Sequence, residues 1–317
     1  MAQWVGPGWP HRLRRNSWDA SPIKLRGTPM PSPTPVGLIG IGLMGEVYAG
    51  RLIAAGFSVI GFDIDPAKGK RLEAIGGRAG SITDIAQKCE PIVLAVFNTD
   101  QVEDVVERAL IPAAAGKIVL CTSTCDPDRI AALASRVGIR LRFLETPVSG
   151  TSEQVRAGDG VGLIGGDVAT AQDAASVLDA LFPKRFHIGK AGDGGRAKLA
   201  VNHILALNRL ALAEGLVFAS RLGLDPAAFL KVARDSAAAS QVMDTKGPKM
   251  IAGEFSPEGR VRQSLKDAHL MLDQARKAGQ QLPLLEIHAQ VLEACVANGE
   301  AERDNSIVIE EIRRRRA

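Results

Sequence analysis

The chain has 317 residues, 46% of them hydrophobic and 23% charged, with a formal net charge of +4; that length exceeds the size at which one core stops growing and points to two domains. Much of the basic excess sits at the ends, in His11-Arg12-Leu13-Arg14-Arg15 and in Arg313 to Arg316, which argues against a nucleic-acid face on the folded body. The four cysteines, at 89, 121, 125 and 295, form no CxxC pair and fit a reducing, cytoplasmic setting, and no apolar run is read as long enough to span a membrane.

Residues 1 to 35 hold every tryptophan of the chain, several prolines and no helical or strand period. They read as a disordered extension, and the prolines count against the amphipathic helix of a transit peptide. Met30 is an alternative start, because a strand pattern begins a few residues later.

From Val36 onward, apolar runs of strand type alternate with helical patterns. Strands are expected at Val36 to Ile41, Ser58 to Asp63, Ile92 to Phe97, Lys117 to Cys121, Leu141 to Glu145 and Val161 to Gly165. Helices are expected between them, at Met44 to Ala55, Ala67 to Ile75, Ile82 to Lys88, Gln101 to Leu110 and Pro127 to Val137. Asp65-Pro66 and Asp126-Pro127 each offer an N-cap followed by a proline at the first helical position. This alternation predicts an α/β fold with a doubly wound, Rossmann-type, mostly parallel sheet.

The character changes after Phe186-His187-Ile188. From Gly195 to Leu222 the chain is rich in alanine and leucine and predicts a rod of about 40 Å that joins the sheet to a second domain. Pro226 to Ala237, Val261 to Ala278 and Pro283 to Asn298 then read as helices. The expected division is a dinucleotide-binding domain at 36–194 and an all-helical substrate and oligomerisation domain at 195–317. Apolar surface around Leu205 to Leu216 predicts a homodimer or homotetramer, and the arginines up to Arg316 read as a frayed last helical turn.

Chemistry first shows in the stretch GLIGIGLMG. Its glycines at 40, 42 and 45 follow a strand and open a helix, the pattern that brings backbone close to a pyrophosphate, with Leu43 and Met44 between them expected to contact the cofactor too. Asp63 ends the next strand, at the distance expected of a group that hydrogen-bonds an adenosine ribose. Its charge would repel a 2′-phosphate, so NAD is expected, with NADP as the alternative because Lys68 and Lys70 lie nearby. The five histidines show no ligand spacing, and no metal is expected.

With that turn, three further stretches complete a pattern: ETPVSGT at Glu145 to Thr151, GDGGRAKLAVNH at Gly192 to His203, and LKDAHLML at Leu265 to Leu272. In this order the four resemble the β-hydroxyacid dehydrogenase family, of the 3-hydroxyisobutyrate dehydrogenase and tartronate semialdehyde reductase type, over roughly Gly37 to Ser306. The resemblance implies that Lys198 is the catalytic acid/base and that Asn202, one turn further along the same helix face, helps hold the substrate. It implies substrate contacts from Ser149, Gly150 and Thr151, and cofactor contacts from Thr124 and from Lys266, which stands by the nicotinamide and would lower the pKa of Lys198 together with desolvation. Phe97 takes the place of a leucine-proline pair over the adenosine. Other departures are Thr151 for a second glycine, Gln154 and Val155 for a later glycine and alanine, and Val201 for a second asparagine.

The function this implies is hydride transfer between NAD and a small 3-hydroxy acid or its semialdehyde. Hydroxyl proton removal needs a base, and a free lysine titrates too high, near 10.4, so a depressed pKa is required. An imine reductase of the same fold and a non-catalytic dinucleotide-binding protein are the alternatives; both tend to lack the lysine. The partner expected is a small molecule, with no nucleic acid and no membrane.

Overall fold

The computed structural model describes residues 34–316. The expected disordered extension and the alternative start at Met30 lie outside the described residues, apart from Thr34 and Pro35.

Among the described residues nine strands form one sheet: β1 (Val36–Ile39), β2 (Val59–Phe62), β3 (Arg78–Ala79), β4 (Ile92–Leu94), β5 (Ile118–Cys121), β6 (Arg142–Glu145), β7 (Val148–Ser149), β8 (Val161–Gly165) and β9 (Lys184–Gly189). Their order is β3-β2-β1-β4-β5-β6-β8-β7, with β9 also on β8. Pairing is parallel except where β8 meets β6 and β7. The central strands VGLI, IVL and IVLC are buried at every residue, as a parallel sheet covered on both faces requires. Strand order reverses between β1 and β4, and the crevice beyond the carboxyl ends of those strands is where such sheets take ligands.

One face packs on the helix Leu43–Ala54, whose Tyr48 meets Phe182 edge-on at 5.7 Å. The other face carries Ile85, Val106, Ile130 and Leu133. Both expected proline-led helices are capped as their sequences dictate: Asp65 accepts from Ala67 N at 3.0 Å, and Asp126 from Asp128 N at 2.8 Å. The expected helix Gln101 to Leu110 differs, running as Thr99–Asp104 and then as a π-helical stretch, Val105–Leu110. Pro112, which has no N–H for the helical ladder, follows directly.

The helix Asp193–Arg221 leaves the sheet and runs through the second, helical domain, about 43 Å at 1.5 Å per residue. Around it lie Pro226–Arg234, Gln241–Thr245, Gly247–Ala252, Val261–Lys277, Pro283–Ala297 and Val308–Arg314. Two expectations are corrected here. By length and composition this long helix is apolar enough to cross a membrane, with mean hydropathy 1.2; scattered charges interrupt the run of letters without lowering its average enough. The stretch Leu205 to Leu216 is not left uncovered either, since Leu210, Leu212, Ala213 and Leu216 are buried in the helical core of the same chain. The exposed apolar residues of this helix flank it: Val201, Ile204 and Phe218.

The last helix ends at Arg314 and leaves Arg315 and Arg316 outside it, and three of the terminal arginines pair with acids. Arg313 bonds Glu310, Arg314 bonds Glu300, and Arg315 bonds Glu311 at 3.1 Å.

Candidate active site

A cleft of about 1290 Å³ opens where the carboxyl ends of β1, β2, β4 and β5 face the helical domain. On the sheet side the glycine turn has three distinct tasks. Gly40 holds φ +94°, and a Cβ there would lie 2.5 Å from Ala95 O; a Cβ on Gly45 would lie 2.0 Å from Gly40 O. These two glycines let turn, strand and helix close on one another. Gly42 faces open space, since a Cβ would meet nothing within 4 Å. It caps the helix Leu43–Ala54 without any side-chain hydrogen bond, so the first helical N–H groups remain available to an anion.

Gly40, Gly42, Leu43, Met44, Asp63, Phe97 and Thr124 all line this cleft, while Gly45 lies behind the turn. Asp63 is held rigidly: Oδ2 accepts from Ile41 N at 2.7 Å and Oδ1 from Asp65 N at 2.9 Å, with Lys68 Nζ at 3.5 Å. Two cations of one helix lie over Phe97, with the Arg262 guanidinium 5.3 Å and the Lys266 ammonium 5.8 Å from its ring centre. A free helix N-terminus, open space at the middle glycine and an acid at the end of β2 together fit a dinucleotide.

The helical side brings in Lys198 and Asn202. Glu145, at the end of β6, explains why the approach to this helix is built of glycine. Its carboxylate accepts from Gly192 N at 2.9 Å, and a Cβ on Gly195 would sit 2.4 Å from Oε1. Burial pushes Glu145 up to about 7, with the backbone N–H groups of Gly195 and Gly192 pulling the other way. An acid at a helix N-terminus is also favoured by the helix dipole.

Lys198 sits in the first turns of that helix, 6% exposed, with no protein hydrogen bond among the described residues. Burial lowers its ammonium to about 8, Asp267 opposes this, and Lys266 adds to the lowering. A shift of that size corresponds to about 3 kcal/mol against the charged form. Asn202 Nδ2 donates to Asp267 Oδ2 at 3.1 Å, and Lys266 Nζ lies 3.0 Å from Asp267 Oδ1. Lys266 itself does not line the cleft; it donates to Thr124 O at 2.6 Å and so braces the loop that does.

At the β7 loop, Val148, Gly150, Thr151 and Gln154 line the cleft and Ser149 does not, as the alternation of side chains along a strand allows. The Thr151 hydroxyl is also engaged as an acceptor. Thr151 Oγ1 accepts from Gln154 N at 3.2 Å and Gln154 Oε1 accepts from Thr151 N at 2.9 Å. The two departures at 151 and 154 are therefore one feature, a capping box on the helix Ser152–Ala157.

Sequence reasoning assigned no role to Asp267, Glu145 or Arg209. Asp267 lay inside the quoted stretch LKDAHLML, where its spacing gave no hint of Asn202 as a partner. Arg209 lines the cleft two turns beyond Asn202, and nothing in its run of alanine and leucine marks it.

Comparison with known proteins matches this geometry. The NAD binding domain of 6-phosphogluconate dehydrogenase matches residues 35–189, and the NAD-binding domain of NADP-dependent 3-hydroxyisobutyrate dehydrogenase matches 192–312. L-Threonate dehydrogenase of Cupriavidus necator is 31% identical over 86% of this chain and 94% of its own. The chain belongs to the 3-hydroxyisobutyrate dehydrogenase family. Within that family it is also similar to 2-hydroxy-3-oxopropionate reductase of Escherichia coli, 28% identical over 87% of this chain and 96% of that protein. The crystal structure of 3-hydroxyisobutyrate dehydrogenase from Salmonella typhimurium superimposes with a TM-score of 0.80 at 26% identity, covering 87% of this chain and 99% of that one. As a family member the chain is an oxidoreductase acting on hydroxy acids with NAD(P).

Proposed function

We propose that the chain is an NAD-dependent dehydrogenase of a small 3-hydroxy acid, or in reverse a reductase of its semialdehyde, with Lys198 as the general acid/base. The observation that carries this reading is the Lys198 amine, buried on the wall of the cleft that the glycine turn also lines, with no hydrogen-bond partner among the described residues.

Bound at the Gly40–Gly45 turn, NAD supplies the two-electron acceptor for the carbinol hydride. Neutral Lys198 takes the hydroxyl proton as the carbonyl forms, and in reduction the ammonium returns it. Asn202, its amide oriented by Asp267, and the backbone of Gly150 hold the substrate carboxylate, while the Thr151 N–H stays with Gln154. Alignment of the reacting groups supplies much of the acceleration. Asp63, fixed by two backbone N–H groups, favours an unphosphorylated ribose and hence NAD over NADP.

The separate apolar cores support dividing the chain at residue 195 into the two domains expected, and exposed Val201, Ile204 and Phe218 support a homo-oligomer. A cytoplasmic enzyme is in keeping with four free cysteines. The reading is tested by following NAD and NADP reduction with 3-hydroxyisobutyrate, glycerate, threonate and 3-hydroxypropionate. Turnover of at least one acid, faster with NAD, supports it; no turnover of any with either cofactor overturns it.

A further inference from the structure

The cleft continues past Asn202 along the long helix to Leu205, Ala206 and Arg209. Helical spacing puts these residues and Lys198 on one face, with Arg209 about 10 Å along the axis from Asn202. Arg209 is 6% exposed, and its guanidinium lacks the partners a buried cation needs. Its Nε makes no hydrogen bond, and its one hydrogen-bonding contact among the described residues is to His288 Nε2, at 3.5 Å. The acids that feel its charge are Asp304 and Asp267. Both are already engaged, Asp304 by Lys246 and Asp267 by Lys266 and Asn202.

His288 does not neutralise Arg209. To accept from the guanidinium, His288 Nε2 must present its lone pair, which leaves the proton on Nδ1, an atom with no partner. Burial, with Arg209 and His203 adding to it, pushes His288 down to about 3. Burial lowers Arg209 too, to about 10, so it stays charged at neutral pH. A desolvated, fixed guanidinium fork facing a cleft is the geometry that captures a carboxylate.

We propose that Arg209 binds a second carboxylate of the substrate, so that the enzyme prefers hydroxy diacids to hydroxy monoacids. This rests on the dehydrogenase reading above: one carboxylate stays with Asn202 and the Gly150 backbone, and the substituent runs along Leu205 and Ala206 to Arg209.

The test compares kcat/KM for 3-hydroxyisobutyrate with that for 2-(hydroxymethyl)glutarate, in which a carboxyethyl group replaces the methyl, using the wild type and Arg209→Gln with NAD and NADP. The wild type is expected to prefer the diacid by about 10- to 100-fold, and Arg209→Gln to lower the diacid value by that factor more than the monoacid value. Equal loss on both acids, or a wild type that handles the monoacid at least as well, overturns the inference and leaves the dehydrogenase reading standing. Turnover of neither acid overturns the inference, and the broader acid panel then decides the dehydrogenase reading separately. Independently of any variant, glutarate must raise the Tm of the NAD-loaded wild type more than butyrate does at equal concentration; equal shifts count against a second carboxylate site.

Discussion

Asn202 and Asp267 join the long helix to the helix Val261–Lys277 through a 3.1 Å hydrogen bond, Nδ2 to Oδ2, beside the Lys198 amine. A carboxylate only accepts, so this bond fixes the Asn202 nitrogen toward Asp267 and leaves the second N–H of that nitrogen to donate to a substrate carboxylate. The same acid, buried and paired with Lys266, opposes the loss of the Lys198 proton.

Asp267→Asn therefore removes the charge that holds Lys198 up. The midpoint of kcat/KM against pH for alcohol oxidation is expected to fall by on the order of one unit, while Lys266→Met moves it the other way. Coincident profiles for the wild type and both variants would show that neither charge reaches the amine.

Lys198→Met takes away the proton acceptor and leaves the glycine turn untouched. The kcat is expected to fall about 10²- to 10⁴-fold, with NAD affinity, read by fluorescence titration, retained. A kcat within a few-fold of the wild type would remove Lys198 from the chemistry.

Glu145 makes stability pH-dependent. Its folded-state value, about 7 against 4.5, means the folded chain binds more protons between those limits. Stability therefore falls as pH rises from about 4.5 to 7. Glu145→Gln keeps an acceptor for Gly192 and removes the buried charge, so the unfolding free energy, read from denaturant melts at each pH, should lose up to about 3 kcal/mol of its decline across that window. Parallel curves for the two proteins would contradict this account.

The capping box at Thr151 and Gln154 predicts coupled losses. Thr151→Ala and Gln154→Ala should each cost about 1 kcal/mol, and the double variant should cost clearly less than the sum, because either change breaks the reciprocal pair. Thermal melts of the four proteins measure this, and strict additivity would mean that the two bonds act separately.

Asp63→Ser should raise kcat/KM with NADP relative to NAD by at least about 10-fold, through loss of one repulsive charge next to Lys68. An unchanged ratio would place the 2′ position of the ribose elsewhere.

Much of this was legible in the sequence because the signals are local. Glycines at 40, 42 and 45 and the aspartate-proline pairs state their conformations within a few residues. Strand ends were less legible: Asp63 and Phe97 are apolar-run termini by pattern, yet both leave the sheet and turn into the cleft. The two-residue strands β3 and β7 are too short for a period of two to register. What stayed hidden was long-range. Asp267 meets Asn202 across 65 positions, Glu145 meets Gly192 across 47, and the solitude of Arg209 is a property of its neighbours.

The most direct test of the central claim is the pH dependence of kcat/KM for the wild type in both directions between pH 6 and 10.5. If the buried Lys198 amine handles the proton, oxidation rises and reduction falls through a common midpoint near 8. A shared midpoint at the ordinary lysine value, about 10.4, or profiles that move together, would contradict it.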